Sequence, residues 1–167
     1  MNPQPIITND LGESLPMPLL PEANELVELG LDMSMMKLTR DEILLVDDNN
    51  INLQILVSFM KKLKYKYKTA SNGLEAFEIY SASPGSFSHV LMDISMPVMD
   101  GLESTRNIRT LEAERHIAPT KVIALTGLVS ADAQQEAFAS GVDMYMTKPV
   151  RFKNLSSVLA SYAPPEV

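Results

Sequence analysis

Acidic, hydroxyl and basic side chains follow four separate apolar segments of this sequence. The residues that end these segments are Asp47 and Asp48, Asp93, Thr126, and Lys148. Each residue by itself has an ordinary explanation, because aspartate caps helices and begins loops and lysine is common on protein surfaces. The recurrence of the pattern at four segment ends favours one shared site.

The chemistry of such a site follows from the side chains that it would contain. Three carboxylates repel one another unless a cation lies among them, and a site made only of oxygen atoms suits a hard ion such as Mg²⁺. An ammonium and a hydroxyl are the groups that a phosphoryl group needs. The chain has no cysteine and only two histidines, far apart. The available nucleophile is therefore a carboxylate, and we predict an aspartyl phosphate at Asp93.

Strand-like and helix-like segments alternate five times from about residue 40. Strands are predicted over 43–46, 66–70, 90–92, 121–126 and 144–147, and helices over 51–63, 74–82, 102–114, 131–140 and 152–161. This alternation predicts an α/β fold with a parallel sheet covered by helices on both faces. Ligands of such sheets bind beyond the carboxyl ends of the strands, which is where the polar residues collect.

Composition excludes several classes of function. The net charge of −7 and a pI near 4.8 argue against a nucleic-acid surface, which should be basic. The absence of cysteine excludes disulfides and thiolate metal sites. No apolar run is long enough to span a bilayer, and no signal-peptide pattern opens the chain. We therefore expect a soluble cytoplasmic protein.

Residues 1–39 differ from the rest of the chain and are predicted to be an arm or linker. Five prolines lie within residues 1–21, which show no periodicity and are expected to be extended or disordered. A short helix is predicted over 24–30, with apolar residues that could pack on the domain or on a partner. Residues 40–163 form the predicted domain, and 164–167 are a tail.

The stretches VDDNNIN, MDISMPVMDG, IALTG and YMTKP resemble the receiver domains of two-component response regulators, in the same order and at similar spacing. The resemblance covers roughly residues 40–163. It implies a flavodoxin-like, doubly wound, five-stranded parallel sheet in the order 2-1-3-4-5 with five helices. It also implies a phosphoacceptor signalling domain that is not an enzyme beyond its own phosphorylation and dephosphorylation at Asp93.

The resemblance also implies roles for the residues of the acidic site. Asp48 and Asp93 would coordinate Mg²⁺ directly, the backbone carbonyl of Ser95 would be a third ligand, and Asp47 would act mainly through water. Lys148 would pair with the phosphoryl oxygens. The Lys148-Pro149 peptide bond is expected to be cis, as it usually is in this family.

A second set of implied roles concerns signal output. Thr126 would be the switch hydroxyl and Tyr145 its aromatic partner. The surface of the fourth helix, fifth strand and fifth helix, about residues 131–161, would change shape on phosphorylation, and the same face could support a dimer. The donor would be a histidine kinase or a histidine-containing phosphotransfer protein, with no nucleic acid and no membrane insertion.

Two details refine the resemblance. Asn49 and Asn52 match a DDNxxN start that is common in receivers of hybrid sensor kinases, which favours that subgroup. We expect either the receiver of such a kinase with its upstream linker or a stand-alone receiver. Lys64 occupies the position where the first helix of the family usually ends in glycine. A left-handed conformation there should cost about 1 kcal/mol relative to glycine.

Three other functions have less support from the residues of this chain. A phosphatase of the haloacid-dehalogenase type also forms an aspartyl phosphate, but it needs a second aspartate two residues after the nucleophile, where this chain has Ser95. A nucleotide-binding domain would need a glycine-rich loop after the first strand, and none follows it. A phosphorylation-independent interaction module is disfavoured because the acidic residues are all present.

Overall fold

The computed structural model describes residues 40–127 and 130–161, together with the backbone of 7–8 and 14–15. The chain divides into two compact units, Met1–Lys37 and Leu38–Val167. Among the described residues, no helix is both long and apolar enough to cross a lipid bilayer.

The described residues of the first unit form a short pair of strands. Ile7–Thr8 and Ser14–Leu15 pair in antiparallel orientation, with Ile7 opposite Leu15. The prediction that residues 1–39 are an arm or linker stays a prediction, because most of this segment lies outside the described residues. The predicted helix over 24–30 and the tail 164–167 lie outside the described residues.

Within the described part of the second unit, five strands alternate with five helices. The strands are β1 (Glu42–Val46), β2 (Lys66–Ala70), β3 (Phe87–Asp93), β4 (Lys121–Thr126) and β5 (Met144–Thr147). The helices are α1 (Asn50–Leu63), α2 (Gly73–Ala82), α3 (Gly101–Glu114), α4 (Ala131–Ala139) and α5 (Phe152–Ala160). All strand pairs are parallel, in the order β2-β1-β3-β4-β5. The predicted fold class and strand order are confirmed.

The sheet is buried on both faces, and the alternation of side chains along β1 shows how. Leu44 and Val46 pack into the cluster under α2, α3 and α4, whereas Ile43 and Leu45 pack into the cluster under α1 and α5. All four side chains are fully buried. A continuous apolar run is what a central parallel strand requires, because neither of its faces meets water.

The third strand is longer than the sequence predicted. A strand was predicted over 90–92, but β3 runs from Phe87 to Asp93 and all seven residues are buried. The beginning of the strand was not predicted, because Ser88 and His89 are two polar residues in succession, which is a pattern typical of a loop. Both are buried, and their side chains lie 2.9 Å apart from Ser88 Oγ to His89 Nδ1.

Helix α1 ends at Lys64, where the receiver-domain family usually has glycine. Lys64 has φ 62° and ψ 30°, the left-handed conformation, and the amide of Tyr65 donates to Met60 O at 3.1 Å. A lysine in this conformation is less stable than glycine by about 1 kcal/mol, because its Cβ crowds the backbone.

Candidate functional site

A cleft of about 440 Å³ opens at the carboxyl ends of β1, β3 and β4. The structure brings six of the seven predicted site residues to this cleft: Asp47, Asp48, Asp93, Ser95, Thr126 and Lys148. The convergence follows from the parallel sheet, which places the carboxyl ends of neighbouring strands at one edge. Tyr145 is the exception and lines a neighbouring cavity.

Three aspartates form the centre of the cleft. Asp47, Asp48 and Asp93 each offer a carboxylate oxygen, and these three atoms lie within 4.8 Å of one another. Asp47 and Asp93 are buried, with exposed fractions of 1% and 5%, whereas Asp48 is exposed. Clustered carboxylate oxygens of this kind suit a hard divalent cation. The exposed side of the cluster leaves room for the waters that such an ion keeps.

Lys148 joins two of the three acids. Its Nζ lies 2.9 Å from Asp93 Oδ1 and 3.0 Å from Asp47 Oδ2. The backbone also fixes its place, because Lys148 N donates to Thr126 O at 2.8 Å. The Lys148-Pro149 bond is cis, as predicted. Three carboxylates and one ammonium leave two negative charges when all are ionised, which a divalent cation would balance.

Burial and neighbouring charges shift the pKa values of this pair. Burial raises the pKa of Asp93, the Lys148 ammonium opposes that shift, and the charge of Asp47 adds to it, so that the pKa of Asp93 lies above its usual range. Burial lowers the pKa of Lys148, but its contacts with Asp93 and Asp47 outweigh this and leave it raised. A bound cation would favour the ionised form of Asp93.

The turn between β1 and α1 holds the first two aspartates in place. Asp47 Oδ1 accepts a hydrogen bond from Asn49 N at 2.8 Å. The side chain of Asn49 is the N-cap of α1 and accepts from Ile51 N and Asn52 N. Asn49 therefore caps the helix, not Asp47 or Asp48, which leaves the carboxylates available in the cleft.

Gly101 allows the chain to close over Asp93, and the sequence analysis missed its role. Its amide donates to Ile94 O at 2.9 Å, which returns the loop after β3 to the end of the strand. A Cβ at Gly101 would overlap Asp93 O and lie 2.9 Å from Met92 Cγ. Only glycine fits here, and the Asp-Gly pair at a predicted helix start was the available signal.

The same loop carries a strained residue. Val98 has φ 72°, and Met99 N donates to Pro97 O at 2.9 Å, which defines a tight three-residue turn. A β-branched residue in this conformation is an outlier. The Val98 side chain is 77% exposed, so packing within the described domain does not explain its identity.

Thr126 lies between the cleft and a second cavity. That cavity has a volume of about 140 Å³ and is lined by Thr126, Tyr145 and apolar residues that include Leu102 and Ala137. Tyr145 is half-buried, and its ring meets that of Phe138 edge-on at 6.1 Å between centroids. The two predicted switch residues therefore share one small space.

Comparison with known proteins identifies relatives of the domain. The family described as the response regulator receiver domain matches residues 43–160. Histidine kinase 5 of Arabidopsis thaliana is 34% identical over an alignment of 147 positions, and the match covers 74% of this chain and 16% of that protein. Sensor histidine kinase GacS of Pseudomonas protegens is 36% identical over 120 residues, which are 72% of this chain and 13% of that protein. The chain thus spans less than a fifth of the length of these relatives.

Solved structures agree with these sequence relatives. The receiver domain of Ssk1 from Saccharomyces cerevisiae, in complex with the histidine phosphotransfer protein Ypd1, superposes with a TM-score of 0.68 and 35% identity, over 73% of this chain and 88% of that one. The receiver domain of sensor histidine kinase PA1611 from Pseudomonas aeruginosa has a magnesium ion in its active-site cleft. It superposes with a TM-score of 0.63 and 29% identity, over 71% of this chain and 93% of that one. By sequence match, strand order and cleft, this chain belongs to the response regulator receiver domain family.

Proposed function

We propose that this domain accepts a phosphoryl group on Asp93 from a phosphohistidine donor and serves as a phosphorelay signalling module. The observation that carries the proposal is the position of Asp93 at the end of β3, buried beside two further carboxylates and 2.9 Å from the Lys148 ammonium. In the transfer, an Asp93 oxygen forms a bond to phosphorus while the phosphorus–nitrogen bond of the donor breaks. The donor imidazole leaves and takes up a proton.

The proposed roles of the surrounding groups are those that the resemblance to receiver domains implies, and the cleft contains all of these groups. Asp48 and Asp93, with the backbone carbonyl of Ser95, would hold Mg²⁺, and Asp47 would act mainly through water. When bound, the ion neutralises charge on the phosphoryl oxygens. Lys148 already contacts Asp93 and would pair with a phosphoryl oxygen after transfer.

The readout in this proposal is a coupled movement of two side chains. Thr126 donates a hydrogen bond to the phosphoryl group and moves toward Asp93. Tyr145 then turns into the cavity of about 140 Å³ that both residues line. The surface over residues 131–161 changes shape, because the phosphoryl group favours the state in which these contacts form. The same surface is the proposed face of a dimer.

A protein donor, either a histidine kinase or a histidine-containing phosphotransfer protein, is supported by apolar surface beside the cleft. Ile51 and Ile55 of α1 are 71% and 45% exposed. A groove of about 350 Å³ runs from Ile55 to Pro149 and Val150 and reaches Asp47. A small-molecule donor would need no such surface, whereas a protein would cover it. The proposal includes a cytoplasmic location, where kinases draw on ATP.

Intact-protein mass spectrometry tests the proposal. Incubation with acetyl phosphate and Mg²⁺ should add one phosphoryl group to the wild-type chain and none to Asp93→Asn, which keeps the size of the side chain. Asp132→Asn, at an exposed acid of α4, is the matched control and should react as wild type does. A normal mass gain in Asp93→Asn would show that another residue is the acceptor.

The same material separates a receiver from a phosphatase. A receiver should consume about one equivalent of acetyl phosphate for each slow cycle of phosphorylation and hydrolysis. A phosphatase of the haloacid-dehalogenase type should hydrolyse many equivalents of a phosphomonoester, and its acid would have to come from a residue other than Ser95.

A further inference from the structure

Strand β2 is one edge of the five-stranded sheet, and its outer side has no strand partner among the residues that the structure describes. In a parallel sheet, the backbone N–H and C=O groups of alternate residues point to opposite edges of their strand. Asp47 N donates to Ala70 O at 3.2 Å, so the backbone of Ala70 faces β1, and so does that of Lys68. The amides and carbonyls of Tyr67 and Thr69 therefore lie on the outer edge, where a further strand could pair with them.

The end of α1 and strand β2 carry concentrated positive charge. Residues 61–68, here termed the basic edge, contain five exposed lysines and no acid, in a chain whose net charge is −7. These are Lys61, Lys62, Lys64, Lys66 and Lys68. Ion pairs join Lys66 to Asp41 at 2.6 Å and Lys68 to Glu42 at 3.6 Å. These two acids balance two of the five charges, so the basic edge keeps a surplus of positive charge.

Two of these lysines point to the same face of the sheet. Lys66 and Lys68 lie two positions apart in β2, and side chains at this spacing share a face. Lys68 Nζ lies 5.6 Å from the centre of the Phe87 ring, and this contact together with Glu42 confines it. The side chain of Lys66 is 70% exposed, and an exposed ion pair such as that with Asp41 contributes little to stability. Both ammonium groups can therefore meet acids at alternate positions of an added strand.

The surroundings of the lysines argue against nucleic acid and lipid as the partner. Tyr65 and Tyr67 are half-buried and pack against the cluster under α1 and α5, so their rings cannot stack on nucleic-acid bases. None of the exposed large apolar side chains of the described residues lies within 61–70. A lipid surface would therefore gain the attraction of the charges but no inserted apolar side chain.

The same lysines argue against a second copy of this chain. Pairing of β2 with β2 of another molecule would bring the lysines of two edges together, and like charges on neighbouring strands repel. Lysines on an edge strand thereby prevent self-association. An extended acidic segment has the opposite charge and can use the free backbone groups of the same edge.

We propose that the basic edge is a docking surface for an extended acidic segment of a partner protein, which adds to β2 as a further strand. Tyr67 and Thr69 exchange backbone hydrogen bonds with this segment, and acids at its alternate positions meet Lys66 and Lys68. The main-chain bonds supply affinity, and the charges select the segment. The basic edge shares no residue with the lining of the cleft, so the inference does not depend on phosphorylation of Asp93.

Amide hydrogen exchange of the full chain, followed by NMR at low ionic strength, tests the proposal with a synthetic peptide. The probe is the acetylated and amidated peptide Ser-Glu-Val-Glu-Thr-Glu-Val-Ser. At saturation, exchange at Tyr67 and Thr69 should slow by about tenfold or more, because both amides gain hydrogen bonds. Exchange at Lys68, whose amide faces β1, should change less. Exchange within β5, the other edge strand, should not change, since Met144–Thr147 carry no charge.

Two control peptides separate strand addition from simple attraction between charges. The first has the same composition, but its three glutamates are consecutive and cannot alternate along one face. The second keeps the sequence and carries N-methyl groups on two adjacent central residues, one of which faces β2 in either strand direction. Both should bind at least about fivefold more weakly than the probe, in a chemical-shift titration of the same protein.

Variants of the basic edge complete the test. Lys66→Gln combined with Lys68→Gln should weaken binding of the probe about fivefold, because two cross-strand charge pairs are lost. Lys66→Gln alone should weaken it about twofold. The single variant keeps the pair of Lys68 with Glu42 and is usable if the double variant does not fold. Arg151→Gln combined with Lys153→Gln removes the same charge from exposed positions at the start of α5 and should bind as the parent does.

Each outcome decides the inference. Unchanged exchange at Tyr67 and Thr69 would overturn it, and so would equal affinities for the three peptides, since attraction between charges would then suffice. Equal affinities of the lysine variants and their control would show that the basic edge does not select the segment. Vesicles of phosphatidylserine and phosphatidylcholine in equal parts test a lipid surface. Vesicle binding that the double lysine variant loses, without any binding of the probe, would assign the basic edge to a membrane instead.

Discussion

The ammonium of Lys148 lies 2.9 Å from the carboxylate of Asp93, and both side chains are largely removed from water. Burial alone would favour the neutral acid, and the neighbouring charge of Asp47 acts in the same direction. Lys148 opposes both effects. The lysine therefore helps to keep Asp93 ionised, and only the ionised form is a nucleophile.

Replacement of Lys148 by methionine should raise the pKa of Asp93 further, because the opposing cation is lost while burial and the Asp47 charge remain. A carboxyl-carbon NMR titration of the Mg²⁺-free protein would measure the change. Lys153→Met, at an exposed lysine of α5, is the control and should leave the titration unaltered. An unchanged Asp93 titration in Lys148→Met would contradict the electrostatic role of the lysine.

Asp48→Ala should weaken Mg²⁺ binding by roughly tenfold or more, since it removes one of the three clustered carboxylates that could bind the ion. Chemical-shift titration with Mg²⁺ measures the dissociation constant. Asp41→Ala removes an acid that pairs with Lys66 before β1, away from the cleft, and should have no effect. Equal Mg²⁺ affinities of the two variants would show that Asp48 does not bind the ion.

Thr126→Ala should still accept a phosphoryl group at Asp93 but should show much smaller phosphorylation-induced amide shifts across residues 131–161. The reason is that the hydroxyl is the proposed link between the phosphoryl group and the space that Tyr145 enters. Thr110→Ala, at an exposed threonine of α3, should retain the wild-type pattern. A full shift pattern in Thr126→Ala would mean that the signal leaves by another route.

Gly101→Ala should lower the free energy of unfolding by about 1 to 3 kcal/mol, because the added Cβ overlaps the backbone oxygen of Asp93. Urea unfolding followed by circular dichroism measures it. Gly127→Ala is the matched control, since a Cβ there would meet no atom within 4 Å. Similar free energies of unfolding for the two variants would show that the loop after β3 can shift to accommodate a Cβ at position 101.

Acid should destabilise the domain through His89, which is 3% exposed. Burial, with a smaller contribution from the charge of Lys121, lowers the pKa of His89 from 6.5 to about 4. The folded state therefore binds fewer protons than the unfolded state between these values. The stability that neutral His89 contributes is fully present above pH 6.5 and is lost as the pH falls toward 4.

Urea unfolding near pH 7.5 and near pH 5 would measure this effect, with an expected contribution of about 1 to 2 kcal/mol. His89→Gln should reduce the difference between the two pH values by that amount. His116→Asn changes an exposed histidine with φ 53° to a residue that tolerates that conformation, and it should keep the wild-type pH dependence. Equal pH dependence in all three proteins would rule out His89 as the cause.

The sequence by itself determined the fold class and which polar residues line the cleft. Apolar runs that alternate with helical periodicity identify a parallel α/β sheet, and the carboxyl ends of its strands must share one edge. Asp47, Asp93 and Thr126 were therefore placed together before any distance was known. The resemblance to receiver domains identified Lys64 as the place where glycine usually ends the first helix, and only the structure shows that the lysine is left-handed.

Only the tertiary structure decided which side chains touch. Lys148 bonds Asp47 across 101 positions of sequence, and Arg109 reaches Asp143 across 34. The early start of β3 and the lack of space at Gly101 also come from the packing of distant elements. Local periodicity encodes which face of a strand or helix is apolar. It does not encode the register and spacing of distant elements, which decide whether a polar atom meets a partner, a cavity or water.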